Sequence, residues 1–462
     1  MKKFLAVIAL VAILLTAFVS CKGNENNTDN TVGAKPDDVA MKTENFSINL
    51  AEATYIFNRT YIEFANENYQ FMNYYGIDKE KSLKEQMYTE SNGTSWFDYF
   101  LNDAKAYMHN ILIYCEAANA SGLSLTDEDN KEIDKIIEEY YTEAEGNGYT
   151  IEEFVSLHYG AIVKIDNIKT FMEKEKLAFK YYNGLVDGFE FTAEDEDKYF
   201  SEHPEEFYYV NYVSYTFDED DDRDAQANAK ELYATADSDA FYAYIENYEE
   251  NVIKLEESKR KGATVTDFYV KEEGEFSDWA FSAKVGERYL KEDGAKGVYT
   301  VYMLTSEPAI QDYTTKDIRF LLLTKDTYET NEKTKRKAEE IIAKWEDGEK
   351  TAESFGKLAS KYSEDDSSSD NGGFCPYVDK SNPVLTEEST KWLFEEANVG
   401  ELKLFKGEGV YYIMYYEKES DVQWRVVANE ALCQNAYNDE MTRINAEFTV
   451  TSLDDILEQI DE

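Results

Sequence analysis

One sequence pattern occurs twice in the C-terminal half of this chain, and the repeat strongly limits how that half can fold. The segments 279–287 and 392–401 both read Trp-x-Phe followed by Val-Gly-Glu, and an apolar run follows each of them, at 297–302 and at 409–414. A shared order of motifs at nearly equal spacing indicates a duplicated structural unit. We therefore predict two copies of one module.

The second copy predicts an α+β module. An apolar run over 318–323 precedes two amphipathic helices, whose apolar faces are Ala338, Ile341, Ile342 and Trp345 in the first and Phe355, Leu358, Ala359 and Tyr362 in the second. A loop rich in Ser and Asp, a short helix and a final strand follow. Helices that cover one face of a small sheet satisfy this order. We assign residues 310–419 to this module and 201–309 to its diverged, degenerate copy.

Residues 46–200 have the pattern of a helical domain. Three capping-box starts precede apolar helical faces, namely Thr126-x-x-Asp129, Thr150-x-x-Glu153 and Thr192-x-x-Asp195. The segment is rich in aromatic residues, which predicts an aromatic core, because aromatic side chains bury the largest areas. A ligand site lined by the same rings is the alternative.

The first residues have the composition of an export signal. Residues 1–20 carry two lysines and then a long apolar run, and small residues lead into Cys21. Cys21 at this place predicts lipidation and a membrane anchor; the alternative is an ordinary signal peptide with a structural cysteine. Residues 21–45 are mostly small and polar, which predicts a flexible tether. We therefore expect the folded part outside the cytoplasm, on the outer face of a bacterial cell membrane.

Charge and cysteine content exclude several classes of function. The formal net charge is −48, and a field of that sign repels nucleic acid. The other cysteines are Cys115, Cys375 and Cys433, which form no C-x-x-C pair and indicate neither a zinc site nor a disulfide framework. We expect them to be buried small apolar residues. No glycine-rich phosphate loop is present, so we expect no nucleotide, metal or other cofactor.

The second module resembles the parvulin rotamases. The motifs that carry the resemblance are Ile318-Arg319-x-Leu321-Leu322, Phe355-x-x-Leu358-Ala359-x-x-Tyr362-Ser363-x-Asp365, Gly372-Gly373, Trp392-x-Phe394 and Gly400-Glu401. Together with the helical domain and a helical tail over 420–462, they make the chain similar to the PrsA/SurA foldases. That resemblance implies a multidomain α+β protein, in which the N-terminal helices and the C-terminal helix pack as a chaperone domain and two parvulin-like modules lie between them.

The resemblance also implies a catalytic site in the second module. Asp365 stands at the family's Cys-or-Asp position, Phe320 stands where the first-strand histidine is expected, and Tyr411 or Tyr412 stands at the last-strand histidine, depending on the alignment. Two of these assignments have structural alternatives. Asp365 is also a good loop-capping residue, and Phe320 is also a good sheet-packing residue. In the first module, Tyr212 takes the first-strand histidine position.

The chain matches only part of the proline-binding slot that the resemblance implies. Leu385 corresponds to the methionine of the family's proline slot, and Phe394 of the Trp392-x-Phe394 motif is a further candidate for substrate binding. The phenylalanine of the slot falls on Ser389 or Thr390, which leaves that wall uncovered. We expect a foldase that binds unfolded secreted chains with X-Pro bonds and isomerises them weakly. The rivals are a chaperone with inactive modules and a solute-binding lipoprotein.

Overall fold

A computed structural model describes residues 33–68, 75–78, 81–89, 92–219, 224–253, 265–382, 385–407 and 409–460. The predicted signal peptide and Cys21 lie outside these residues. The described chain forms two compact units, one made of 33–190 with 433–460 and the other of 191–432. The combination of helical and sheet regions confirms the predicted α+β multidomain class. None of the helices in the described ranges is long and apolar enough to cross a membrane.

The first unit is mainly helical. Its elements over residues 33–190 are β1 Val39–Lys42, β2 Ser47–Asn49, α1 Leu50–Glu67, β3 Met87–Thr89, β4 Thr94–Ser95, α2 Trp96–Ala120, α3 Asp127–Gly146, α4 Ile151–Tyr159 and α5 Ile165–Asp187. Side-chain caps fix several helix starts. Thr126 and Thr150 cap α3 and α4 through the predicted capping boxes. The core is aromatic, as predicted, with Tyr55, Phe100 and Phe171 fully buried.

The prediction that residues 21–45 form a flexible tether is wrong for the second half of this segment. Strand β1 lies within the segment predicted to be flexible, and it pairs with β2. The Asn45 backbone N–H donates to the buried Glu116 carboxylate at 2.7 Å, which fastens the turn between the two strands to α2. The contact with Glu116 is distant in sequence, so local composition does not reveal it.

The first module begins the second unit. Its elements are α6 Ala193–Glu202, a 3₁₀ turn Pro204–Phe207, β5 Tyr208–Asp218, α7 Ala225–Tyr233, α8 Ser238–Ile253, β6 Val265–Val270, α9 Glu275–Ala280, β7 Arg288–Asp293, β8 Val298–Leu304 and β9 Ala309–Ile310. Helix α6 starts at the predicted Thr192–Asp195 capping box. The strands form one antiparallel sheet in the order β6-β5-β8-β7, and β9 also pairs with β5.

The second module repeats this plan. Its elements are β10 Thr314–Thr324, α10 Lys325–Tyr328, α11 Asn331–Glu346, α12 Ala352–Tyr362, β11 Phe374–Val378, α13 Glu387–Lys391, a π-helical turn Trp392–Glu396, β12 Leu402–Lys406 and β13 Val410–Val422. Its sheet has the order β11-β10-β13-β12, which matches the first sheet strand for strand. The duplication of one module explains why the two sheets have the same strand order.

Residues 433–460 complete the first unit, while the start of the C-terminal helix belongs to the second. Helix α14 Gln423–Glu447 is followed by β14 Thr451–Ser452 and α15 Asp454–Leu457. Strand β14 pairs with β1, so the three strands form a small sheet in the order β14-β1-β2. Ile444, Leu457 and Ile460 join the aromatic core of the helical domain. The end of the chain is therefore part of the same hydrophobic core as residues 33–190.

Candidate functional site

The central strands of the second module have two different faces. Side chains alternate across a strand, and on β10 Leu321 and Leu323 pack against the cluster that includes helices α11 and α12. Ile318 and Phe320 point to the opposite face. A second cluster lies there, and it includes Trp392 and Leu393, which follow α13. The predicted site residues on the strands must therefore be sorted by face before a site can be built.

Phe320 and Tyr412 lie together on the second face. Their ring centroids are 5.2 Å apart, and they retain only 5% and 3% of their exposure. Tyr411 lies on the other face and packs against the helix-covered cluster. The structure therefore brings Tyr412, rather than Tyr411, beside the residue at the first-strand histidine position. Both tyrosines are buried, so neither of them faces an open surface.

The Tyr412 hydroxyl is held by two other hydroxyl groups. Its oxygen lies 3.1 Å from Thr386 Oγ1, and it donates to Ser389 Oγ at 3.0 Å. Thr386 and Ser389 also form the capping box at the start of α13, because the Thr386 N–H donates to Ser389 Oγ at 2.8 Å. Ser389 is fully buried. The prediction that Ser389 leaves an uncovered slot wall is therefore wrong: hydrogen-bonded hydroxyl groups fill that place.

Asp365 organises the loop that follows α12. Its carboxylate accepts hydrogen bonds from the Ser367 hydroxyl at 2.9 Å and from the Ser368 hydroxyl, and its N–H donates to Ser363 Oγ. Burial raises the pKa of the nearby Cys375 thiol to about 11, and the Asp365 charge adds to the shift. Cys375 packs at the edge of the Phe320 cluster. Asp365 thus caps the loop and also lies close to the predicted site. Its role as a capping residue and its predicted role at the site are therefore compatible.

The Gly372-Gly373 motif allows the loop to approach β10 closely. Gly373 has φ +71°, its carbonyl accepts from the Phe320 N–H at 2.7 Å, and a Cβ here would meet the Phe320 backbone. The Gly372 carbonyl accepts from Arg319 Nη1 at 3.0 Å, and Arg319 also pairs with Glu417 (Nε to Oε2 2.6 Å). Only glycine tolerates both the backbone angle and the approach. The motif therefore fixes the Asp365 loop against the site strand.

Three large apolar side chains are among the partly exposed residues that pack around the buried pair. Leu322 on β10, Leu385 before α13 and Phe394 in the π-helical turn all pack against the Phe320 cluster. Phe394 also makes an edge contact with Tyr313, with centroids 5.9 Å apart. These residues form the apolar surface nearest to the predicted slot that a substrate can reach. Phe320, Tyr412 and Ser389 lie beneath it.

This arrangement suits non-covalent chemistry. It offers an apolar surface, a carboxylate and a group of hydroxyls, and the chain's three histidines, His109, His158 and His203, all precede the second module. Across the part of the chain that the structure describes, no cluster of three His, Cys, Asp or Glu residues is placed to hold a metal ion. Among the cysteines in the described ranges, Cys115 is fully buried, whereas Cys375 and Cys433 are partly buried, so the prediction of buried thiols is confirmed in full only for Cys115.

Sequence reasoning missed Thr386, which touches Tyr412 directly. The sequence signal was available, because Thr386-x-x-Ser389 has the spacing of a helix-capping pair. It also missed Phe405, which stacks on Tyr412 with centroids 5.3 Å apart and helps to close the face. Strand β12 supplies Phe405 directly opposite Tyr412. That register can be read only once the order of the strands is known.

Comparisons with known proteins identify one domain. Residues 299–419 match the family model described as the PPIC-type PPIASE domain. No curated protein sequence matches the chain at the significance applied. Solved structures that resemble it include the foldase protein PrsA of Streptococcus pneumoniae str. Canada MDR_19A, at 13% identity over 73% of this chain and 79% of that one, with a TM-score of 0.23. The foldase protein PrsA of Lactococcus lactis matches at 11% identity over 72% and 97%, with a TM-score of 0.19.

Proposed function

We propose that the second module catalyses cis–trans isomerisation of X-Pro bonds in unfolded polypeptides, because residues 299–419, which include it, match the model of the PPIC-type PPIASE domain. The family match is the single observation that carries the proposal. The geometry supports it, because Trp392, Phe394 and Leu385 pack with Phe320 on one face of the sheet. The Gly372-Gly373 motif holds the Asp365 loop against the same strand.

The reaction needs little from the protein. Rotation about the X-Pro bond has a barrier of roughly 18–20 kcal/mol and makes or breaks no covalent bond. A catalyst has to favour the twisted amide over the planar one. Leu322, Leu385 and Phe394 would take the proline ring out of water, and the Asp365 carboxylate would face the amide from the loop. Catalysis at this site is expected to be weak, because the Ser389 hydroxyl replaces an aromatic slot wall.

We also propose a cellular setting for this activity. The export-like residues 1–20 and Cys21 support a lipoprotein anchored on the outer face of the cell membrane. The clients would then be secreted polypeptides that fold there, and the helical domain would hold them as a chaperone. The net charge of −48 supports basic or neutral clients and opposes nucleic acid.

A chaperone without isomerase activity is the second candidate. One observation favours it: Phe320, Tyr412 and Ser389 are buried. The residues that stand at the two histidine positions and at the slot phenylalanine position of the family therefore lie below the surface. A substrate would meet only the rim formed by Leu322, Leu385 and Phe394.

Proline-isomer exchange measured by NMR on a short X-Pro peptide separates the two candidates. The full chain should accelerate exchange, and Asp365→Asn should reduce the acceleration, because the loop loses the charge that its serine hydroxyls bind. Asp366→Asn is the matched control, since Asp366 is exposed in the same loop. If the wild-type chain binds the peptide without accelerating exchange, the isomerase proposal fails and the chaperone reading stands.

A further inference from the structure

The helical domain carries a group of exposed tyrosines to which the functions proposed above assign no role. Tyr75 and Tyr88 are 39% and 48% exposed, and Tyr99 is half-buried. The ring centroids of Tyr88 and Tyr99 lie 4.7 Å apart. We call Tyr75, Tyr88 and Tyr99 the tyrosine patch.

The tyrosine patch rests on a packed base. Trp96, the first residue of α2, is 4% exposed, and its ring contacts all three tyrosine rings at centroid distances of 6.3, 4.9 and 5.4 Å. Phe64 of α1 packs against Tyr75 at 5.5 Å and against Trp96 at 5.8 Å. The base therefore holds the three rings together at one surface of the domain.

This surface lies beside the point where the described chain begins. Lys84, four residues before Tyr88, donates from Nζ to the carbonyl oxygen of Glu458 at 3.1 Å. The next residue, Gln459, accepts a hydrogen bond from the Ala34 N–H at 2.6 Å. Four residues span at most about 14 Å. The tyrosine patch is therefore close to the first residues of the folded domain.

The length of chain before the folded domain limits how far this surface can lie from a membrane. Twelve residues lead from Cys21 to Gly33, and a fully extended chain of that length spans at most about 43 Å. If Cys21 carries the lipid, as proposed above, the side of the domain next to Gly33 is held near the bilayer. A tethered surface has a high effective concentration at its partner, so weak contacts from three rings suffice.

Charge favours a lipid surface over a polypeptide client at this place. The segment 75–89 has three lysines and three acidic residues, so its net charge is zero in a chain that carries −48. The segment therefore does not select basic clients, and it avoids the repulsion that an acidic surface meets at anionic lipid. Tyrosine has an apolar ring and a polar hydroxyl, which suit the boundary between lipid headgroups and acyl chains.

We propose that the tyrosine patch docks on the headgroup region of the membrane and thereby orients the helical domain at the bilayer. The docking rests on the anchor proposed at Cys21. It is independent of isomerase activity in the second module.

Hydroxyl-radical footprinting of the mature chain on vesicles tests the docking. A polyhistidine tag placed before residue 21 holds the chain on vesicles of phosphatidylethanolamine and phosphatidylglycerol that contain a nickel-chelating lipid. Oxidation of Tyr75 and Tyr88 should slow about threefold or more relative to the same vesicles without that lipid, because docking takes the rings out of water. Tyr141 is the internal control, since it is 49% exposed on α3 and lies outside the tyrosine patch.

A charge placed in the tyrosine patch should abolish the docking. Tyr88→Glu should restore the oxidation rate of Tyr75 on nickel vesicles, because anionic lipid repels the new carboxylate. Tyr141→Glu is the matched control and should leave Tyr75 protected. Thermal unfolding of both variants verifies that the domain is intact, and the footprint of the unsubstituted chain tests the docking without any variant.

The tag separates the docking from the anchor, because it holds residue 21 at the vesicle whether or not cells acylate Cys21. Protection on nickel vesicles in a chain that cells do not acylate would support the docking surface and contradict the anchor. The proposal is overturned if Tyr75 and Tyr88 oxidise equally fast with and without the nickel lipid, or if Tyr141 slows as much as they do. Protection by an unfolded polypeptide in solution, without protection on vesicles, would assign the tyrosine patch to clients and also overturn it.

Discussion

The Tyr412 side chain joins a strand, a loop and a helix start through a single hydroxyl. Thr386 and Ser389 cap α13 with their side chains and meet Tyr412 at the same time. A buried hydroxyl that keeps its partners costs little, whereas one that loses them costs about 1–3 kcal/mol. The three hydroxyls therefore act as one structural unit beneath the proposed substrate surface.

We expect Tyr412→Phe to destabilise the second module by about 1 kcal/mol, because the variant loses two hydrogen bonds while Thr386 and Ser389 still bond to each other. Hydrogen exchange of peptides covering residues 386–396 measures the effect locally. Tyr411→Phe is the control, since that ring lies on the helix-covered face. Equal exchange rates in both variants would show that the hydroxyl cluster does not stabilise α13.

We expect the isomerase rate to vary by less than about twofold between pH 5.5 and 8. An unperturbed histidine titrates near 6.5, and no histidine lies in the second module. The Cys375 pKa is raised to about 11 by burial, so the thiol stays neutral throughout this range. Exchange rates of one peptide across the range measure the profile. A step in rate near pH 6.5 would mean that a histidine outside the second module takes part.

At this scale the sequence predicted residue types better than their exposure. Because side chains alternate along a strand, Tyr411 and Tyr412 must lie on opposite faces of the sheet. Which face is covered depends on how α11 and α12 pack on the sheet, and the sequence does not show that. The burial of Ser389 was unpredictable for a similar reason. Its partner Tyr412 is distant in sequence, and hydrogen bonds between such residues leave no local signal.

At the scale of elements, local signals were sufficient for many of the helices. Three predicted capping boxes start α3, α4 and α6, because a cap satisfies N–H groups within one turn. Local signals failed for β1, whose partner strand β14 lies near the other end of the chain. Pairing at that separation requires a register that composition alone does not encode.

The contribution of the C-terminal segment to the helical domain can be measured at Leu457. This residue is fully buried in the aromatic core, so Leu457→Ala should cost about 2–5 kcal/mol. Hydrogen exchange in peptides covering residues 33–68 should accelerate, because β1 pairs with the segment just before α15. Glu458→Ala, which removes an exposed side chain next to Leu457, should leave exchange unchanged. Unchanged exchange in both variants would show that residues 33–190 are stable without this contact.

At the scale of the whole molecule, the duplicated module was predictable and the packing within its first copy was not. The repeated motifs identified two modules with one strand order. The sequence suggested that the first copy was merely degenerate. The ring contacts among Phe276, Tyr289 and Tyr302 become visible only when the strands are placed in register, because these residues come from three separate elements.

Anchoring of the whole molecule depends on Cys21 in our proposal. Cys21→Ala should release the folded chain from membranes or leave an uncleaved precursor, since the thiol would carry the lipid. Membrane fractionation of cells that make the two forms measures this outcome. Cys115→Ala is the control, because Cys115 is buried in the helical domain. Retention of a processed Cys21→Ala protein in membranes would contradict the anchor.

The net charge of −48 predicts that client binding depends on salt. Mobile ions screen interactions beyond about 10 Å at 0.1 M ionic strength and beyond about 3 Å at 1 M. A basic unfolded client should therefore bind the full chain at least tenfold more weakly at 0.5 M than at 0.05 M salt, mainly through slower association, because long-range attraction steers the encounter. Stopped-flow fluorescence with a reduced, unfolded basic protein measures the association rate. An acidic unfolded protein of similar length serves as the control, and its association should become faster as salt screens the repulsion. If salt left both rates unchanged, short-range apolar contacts would govern client capture and the acidic surface would have another role.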